Sequence, residues 1–155
     1  MRGGKIVILA LAALCVSATS LAVAQEKKKA TGVVAVRQLT MKANGDHTAA
    51  IKTILTETPE LTRQVAFHAE AIAESLETVP EIFPEGSTQE PTEALPTIWQ
   101  KPDEFKQAAS RAKDLAMRLA SAAETGDTKA TLAAFGSMGK DGCSGCHQTL
   151  RKPQK

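Results

Sequence analysis

The residues with the most distinctive chemistry stand near the end of the chain, which reads Cys143-Ser144-Gly145-Cys146-His147. Two thiols three residues apart, followed directly by an imidazole, are the attachment pattern of a c-type haem. The two thiols would join the haem vinyl groups as thioethers, and His147 would bind the iron from the proximal side. The pattern therefore predicts one covalently attached haem c with Cys143 and Cys146 as anchors and His147 as an iron ligand.

Other uses of a Cys-x-x-Cys pair suit this chain less well. A thioredoxin-like redox pair belongs to a βαβ context, which the sequence does not indicate. A structural zinc site needs four ligands, and only His47 and His68 remain to complete one. A disulfide between Cys143 and Cys146 would close a short, strained loop. Haem attachment is therefore the expected chemistry.

The first 24 residues are typical of a secretory signal peptide. Two basic residues precede an apolar run at 6–16, and residues 22–24 supply a small-x-small cleavage pattern. The apolar run is too short to span a membrane. We therefore expect residues 1–24 to be cleaved and residues 25–155 to form one c-type cytochrome domain in the periplasm, with no membrane span.

Length and composition exclude several classes of protein. A chain of 155 residues is enough for one domain. Aromatic residues make up only 3% and Tyr is absent, which argues against a β-rich fold and against base stacking. The full chain has 19 basic and 17 acidic residues. Loss of the signal peptide removes two of the basic residues and none of the acidic ones, so the two charges then balance. A near-neutral mature chain gives no reason to expect nucleic acid as a partner.

Apolar side chains recur at helical spacing in four segments. The predicted helices run from Thr31 to Leu55, from Thr58-Pro59 to about Val79, from Pro102 to Ala123, and from an N-cap at Asp127 to the cysteine pair. Residues 80–102 contain five of the seven prolines and predict a long loop, anchored by apolar side chains such as Trp99. The predicted fold is all-α, an up-down-up-down antiparallel four-helix bundle with a long Pro-rich loop between helices 2 and 3.

This topology indicates which residue faces the iron opposite His147. An up-down-up-down bundle places the start of the first helix beside the end of the last. Among the residues there, Met41 has the thioether that binds haem iron, so it is the candidate distal ligand. The alternative is a methionine that only fills a gap.

Two arginines are candidates for binding the haem propionates. Arg37 precedes Met41 by four residues, so it is expected on the same helical face as Met41. Arg151 follows His147 by four residues and is expected to share the face of His147 in the same way. The planar guanidinium suits a carboxylate. For Arg151 the alternative is a cation that favours the helix C-terminus electrostatically. His47 lies about 120° around the helix from Met41, so it should not reach the same iron.

Three stretches resemble the class II c-type cytochromes, the family of cytochrome c′ and the cytochromes c-556. The haem motif lies close to the C-terminus and is followed by Arg151. Residues 37–45, RQLTMKANG, resemble the Arg-Gln and Met-Lys-x-Asn-Gly patterns of the first helix in that family. Residues 83–87 and 95–99 resemble the loop of the c-556 branch.

The resemblance implies one of two chemical states. In cytochromes c′ a distal side chain crowds five-coordinate iron that takes small gases, whereas in the c-556 branch a methionine binds the iron. The sequence around Met41 and the loop favour the c-556 branch. We therefore expect a periplasmic carrier of single electrons with low-spin His/Met ligation. The alternative is a five-coordinate cytochrome c′ that binds nitric oxide or carbon monoxide at an open distal site.

The resemblance also implies partners. Redox partner proteins are expected, and relatives suggest a homodimer through helices 1 and 2. A haem enzyme such as a peroxidase ranks last, because the distal candidates lack a His base and Arg pair at suitable spacing. No enzymatic activity is therefore expected.

We predict that the mature protein begins at Gln25 and carries one haem bound through Cys143 and Cys146. Because thioether bonds survive acid, the intact mass after acid denaturation should exceed that of residues 25–155 by one haem. Replacing either cysteine, as in Cys143→Ser, should weaken haem retention, since one thioether is lost. A mass equal to that of the bare polypeptide would contradict the prediction.

Overall fold

The computed structural model describes residues 29–153, and the predicted signal peptide lies outside them. The α-helices within this range are α1 (Gly32–Glu57), α2 (Gln64–Thr78), α3 (Thr97–Gln100), α4 (Pro102–Glu124), α5 (Thr128–Ser137) and α6 (Gly145–Leu150). A π-helical segment, Met138–Ser144, joins α5 to α6, so the C-terminal helix runs without a break. The predicted all-α fold is confirmed, and α1, α2, α4 and the C-terminal helix are the four members of the bundle.

The helices pack around a core made mostly of small and aliphatic side chains. α2 packs on both α1 and α4, and α5 packs on α4. The predicted apolar stripe of α4 is buried along its whole length, and its alanines allow neighbouring helices to approach closely. The most fully buried large side chains of this core are Ile51, Val65, Ile72, Leu119 and Met138. No helix within residues 29–153 has the length and apolar character needed to cross a membrane.

The start of α2 differs from the prediction. Thr58-Pro59 opens a short 3₁₀ turn, Pro59–Leu61, and α2 begins only at Gln64. The Thr62 hydroxyl donates to the Pro59 carbonyl at 2.7 Å and is also hydrogen-bonded to the Thr128 hydroxyl at 2.9 Å. The local bond to Pro59 competes with helical ones, and the bond to Thr128 holds Thr62 to the start of α5; together they explain why the predicted start at Thr58 was wrong.

The start of α5 agrees with the prediction. The Asp127 carboxylate accepts from the backbone N–H groups of Lys129 and Ala130 at 2.9 and 3.0 Å. Two of the free N–H groups at the helix start are satisfied in this way. One turn on, Thr131 is fully buried, whereas Leu132 is 51% exposed.

The loop between α2 and α4 is fixed to the bundle at both ends. It begins with a 3₁₀ turn, Val79–Ile82, and its later part forms the short α3, whose Ile98 is buried. Near the C-terminus, Leu95 N–H donates to Leu150 O at 2.9 Å and Lys152 N–H donates to Glu93 O at 2.8 Å. These backbone bonds hold the loop against the end of α6.

We predict that Leu119→Ala destabilises the fold by about 2–5 kcal/mol, because the side chain is fully buried and its loss leaves a cavity. Denaturant unfolding of the haem-loaded protein measures the effect. Leu132→Ala is the matched control, since Leu132 is 51% exposed and its truncation should cost far less. Equal losses in the two variants would contradict this placement of the core.

Candidate functional site

The haem motif lies across the junction between the π-helical segment and α6. Cys143 is in the π-helical segment, and Cys146 and His147 are in the first turn of α6. Gly142 lies against α4, where an added Cβ would come 3.3 Å from the Cα of Ala112. Glycine at this position therefore allows the segment that carries the motif to pack closely on α4. Segments of π-helix occur frequently at functional sites.

One apolar cluster, called here the site cluster, links the motif to the first helix. Its buried members are Val79, Ile98, Phe105 and Leu150, and partly buried Met41 and Cys146 pack against it. The structure thus brings Met41 of α1 and Cys146 of α6 into one cluster. Within the described range, α6 packs on α4 and α1 packs on α2, and α1 and α6 are not a closely packed pair.

The protonation states of the motif follow from its burial. Burial raises the pKa of Cys143, and burial together with the charge of Cys143 raises the pKa of Cys146. Burial lowers the pKa of His147, the positive charge of Arg151 lowers it further, and Glu93 opposes both. The imidazole is therefore neutral at neutral pH, which is the form that binds metals.

A groove of about 830 Å³ runs along α4 beside the motif. Cys146 lines it together with Leu115, and its walls also carry Arg111 and Arg118. Its volume is within the range of ligand and cofactor sites. The sequence reasoning did not single out these two arginines, although their separation of seven residues places them on one face of α4.

This donor set fits a haem. Both thiols are free and half-buried, and the imidazole that follows them is half-buried as well. Cys146 contacts the site cluster, which offers an apolar surface to a porphyrin, and also borders the open groove. Cys143 and Cys146 would hold the haem edge, and His147 would bind the iron.

Arg37 is held by the loop. Although charged, it is only 4% exposed. Its Nε donates to Ile82 O, its Nη1 donates to Ser87 O at 2.8 Å, and its Nη2 donates to the Ser87 hydroxyl. Its guanidinium also lies 4.3 Å from the ring centre of Phe83 and 5.5 Å from that of Trp99. Arg37 therefore joins α1 to the loop, and its binding to a propionate stays a prediction.

The backbone at Arg151 differs from the prediction. α6 ends at Leu150, and Arg151 is extended and forms an isolated bridge with Ala94 of the loop. The expectation that Arg151 continues the helical face of His147 was therefore wrong. Its charge nevertheless acts on His147, and its Nε lies 3.9 Å from the Glu93 carboxylate. Propionate binding by Arg151 stays a prediction.

Comparison with known proteins identifies the family. The family model for cytochrome c′ matches residues 32–151. A cytochrome c′ from Pararhodospirillum photometricum is 42% identical over 123 residues, which are 77% of this chain and 95% of the relative. One from Rhodospirillum rubrum is 38% identical over 146 residues, or 94% of this chain and 95% of the relative. The chain belongs to the cytochrome c′ family.

Solved structures of the family share the fold. A variant of cytochrome c prime from Alcaligenes xylosoxidans, in its nitric oxide complex, superposes with a TM-score of 0.69. It is 26% identical in sequence, and the match covers 78% of this chain and 94% of that one. A ferrous variant of the same protein gives a TM-score of 0.70. The four-helix bundle is thereby confirmed, and membership of the cytochrome c′ family confirms the single covalently attached haem c.

The comparisons correct one expectation. They do not support the low-spin, c-556-like state, and they favour the alternative, a cytochrome c′. Ligation of the iron by Met41 was part of the unsupported state. The local pattern around Met41 does not fix its distance from the iron, because that distance depends on how far α1 stands from the C-terminal helix. The short sequence motifs carry no such information.

We predict that Arg37→Lys loosens the loop around Trp99. Lysine keeps the charge but loses the planar set of donors and the stacking on Phe83, so acceptors at Ile82 and Ser87 lose their partner. The free energy of unfolding should fall by about 1–3 kcal/mol.

Acrylamide should quench Trp99 more readily in Arg37→Lys than in the wild type. Emission is measured in the apoprotein, where haem does not quench it. Arg111→Lys, at an exposed position of α4, is the matched control and should leave both quantities unchanged. No change in quenching or stability on Arg37→Lys would show that the arginine does not hold the loop.

Proposed function

We propose that this cytochrome c′ takes nitric oxide or carbon monoxide at an open distal site, with Met41 crowding the iron rather than binding it. The match of the cytochrome c′ family over residues 32–151 carries the proposal. It is supported by the similarity to a family member whose structure is a nitric oxide complex. When bound, the haem supplies an iron that changes between ferrous and ferric and that binds small gases. The family and fold also support a role in electron transport.

We assign different roles to the residues on the two sides of the haem. Cys143 and Cys146 would hold the ring on the C-terminal helix, and His147 would bind the iron from the proximal side. On the distal side, Met41 is half-buried and packed against the site cluster, so its side chain is restrained by apolar neighbours. A restrained thioether limits the space for an added ligand by steric contact, which selects small uncharged molecules.

We also propose that the protein has no enzymatic activity of the peroxidase type. That chemistry relies on polar groups free to act on a bound ligand. The N–H groups of Arg37 donate to the loop, and the Nδ1 atoms of His47 and His68 lie 2.9 Å apart, facing each other. These contacts support binding without turnover.

For the cellular context we propose a periplasmic protein that meets redox partner proteins and forms a homodimer through α1 and α2. The proposed location follows from the signal-like residues 1–24. The exposed apolar side chains of Leu39 on α1 and Phe67 on α2 support the dimer. Sedimentation of the haem-loaded protein distinguishes monomer from dimer.

We predict that the size of residue 41 sets the rate of carbon monoxide binding to the ferrous protein. Met41→Ala should bind carbon monoxide about tenfold faster or more, equivalent to at least about 1.4 kcal/mol of barrier, because a steric obstacle is removed. Met41→Phe should bind it more slowly. Flash photolysis or stopped-flow mixing measures both rates.

Met117→Ala is the matched control, since Met117 is exposed on α4 and should not affect the rate. The ferric wild type should be high-spin, and Met41→Ala should leave it so. A wild type that is low-spin and turns high-spin on Met41→Ala would show that Met41 binds the iron, and would restore the His/Met state.

A further inference from the structure

Away from the haem motif, His47 of α1 and His68 of α2 face each other across the seam between the two helices. Their Nδ1 atoms lie 2.9 Å apart, and their ring centres are 5.2 Å apart. Both rings are half-buried. Phe67 packs edge-on against both, with ring centres 6.3 Å from His47 and 5.2 Å from His68. Two imidazoles from different helices are therefore held at one place on the surface.

The seam around the pair is fixed by a further contact. Asn44, one turn before His47, donates from its side-chain amide to the Ser75 hydroxyl of α2 at 3.0 Å. Below the pair, Ile51 of α1 and Val65 of α2 are fully buried in the core. The separation of the two helices at the histidines is thus set by packing on one side and by a polar contact on the other.

Two facing Nδ1 atoms can share one proton in a hydrogen bond, or both can donate their lone pairs to a cation. Bonds of 2.0–2.1 Å at a tetrahedral metal place two ligand nitrogens about 3.4 Å apart. The pair would have to open by about 0.5 Å, which rotation about the soft terminal torsions of the two histidines allows. Burial, and then the charge of His47, lowers the pKa of His68, so the neutral ring is favoured.

The number of ligands that the protein can supply at the seam follows from its other metal-binding residues. The sequence has three histidines, and the third is His147 of the haem motif. In the part of the chain that the structure describes, no three or more His, Cys, Asp or Glu side chains are grouped to hold a metal ion. The protein would therefore supply two ligands to a cation at this seam, and water would supply the others.

We propose that His47 and His68 form a site for a borderline divalent cation such as Zn²⁺, which cross-links α1 and α2. Imidazole nitrogen is a preferred ligand for such metals, whereas Mg²⁺ and Ca²⁺ prefer oxygen. The cation would bind the folded seam and stabilise it, because the unfolded chain does not hold the two rings together. This site does not depend on the proposed gas binding.

Titration of the haem-loaded protein with Zn²⁺ alone, followed by calorimetry and by thermal unfolding, tests the proposal. The wild type should bind one Zn²⁺ per chain, with a melting temperature that rises with Zn²⁺ concentration. His47→Gln and His68→Gln should each weaken binding at least ~10-fold, since even loss of an outer-shell partner costs that much. The double variant should lose little more than either single one, because one ligand alone does not make the site.

Asp46→Asn is the matched control, because it removes a carboxylate one residue from His47 and leaves both imidazoles in place. Its affinity for Zn²⁺ should equal that of the wild type. Visible spectra and melting temperatures without Zn²⁺ should show that the variants fold and hold haem. Unchanged affinity in either histidine variant, equal loss in Asp46→Asn, or no saturable binding to the wild type would each overturn the site.

Discussion

The two thioether bonds that we propose at Cys143 and Cys146 would fix the edge of the haem to the C-terminal helix, and the rest of the site would be arranged around that constraint. The position of the iron would then be set by how this helix packs on α4, where Gly142 lies against Ala112 without a side chain between them. Because α6 packs on α4 and α1 packs on α2, the first helix contributes to the site through the site cluster and not by packing on α6. Met41 is the side chain of α1 that reaches the site cluster.

The long loop packs on the site cluster and on α1, and its conformation depends on one buried cation, Arg37. Burial lowers the pKa of Arg37, because removing the charged guanidinium from water costs free energy. Three hydrogen bonds to the loop and the faces of two aromatic rings offset that cost. Trp99 is fixed in the same way, since its Nε1 donates to the carbonyls of Phe83 and Pro84. A Pro-rich segment with little regular structure is thereby held in one conformation.

Much of this arrangement was predictable from the sequence. The spacing of the haem motif identifies the two cysteines that would attach the haem. The apolar stripe of α4 is buried as its spacing predicts, and Asp127 caps α5 as its residue type predicts. These features are local, so residue type and spacing determine them. The predicted pairing of the first helix with the last is seen only indirectly, because Met41 and Cys146 contact one cluster although α1 and α6 do not pack closely on each other.

The features that could not be predicted from the sequence depend on contacts between residues that are far apart in the chain. The late start of α2 involves a bond between Thr62 and Thr128, which lie 66 residues apart. Arg151 leaves the helix because the loop pairs with the chain there. The π-helical turn before Cys146 has no sequence signal that we recognise. The choice between a methionine that binds iron and one that crowds it depends on a separation between helices, which no short motif encodes.

The state of the iron in the wild-type protein tests the open distal site most directly. Electron paramagnetic resonance of the ferric protein, recorded with its near-infrared absorption, reports the spin state and any bond from sulfur to iron. If the distal site is open, the ferric protein should give a high-spin signal and no long-wavelength band of thioether-ligated haem. A low-spin signal accompanied by that band would contradict it, since Met41 would then occupy the position that a gas must take.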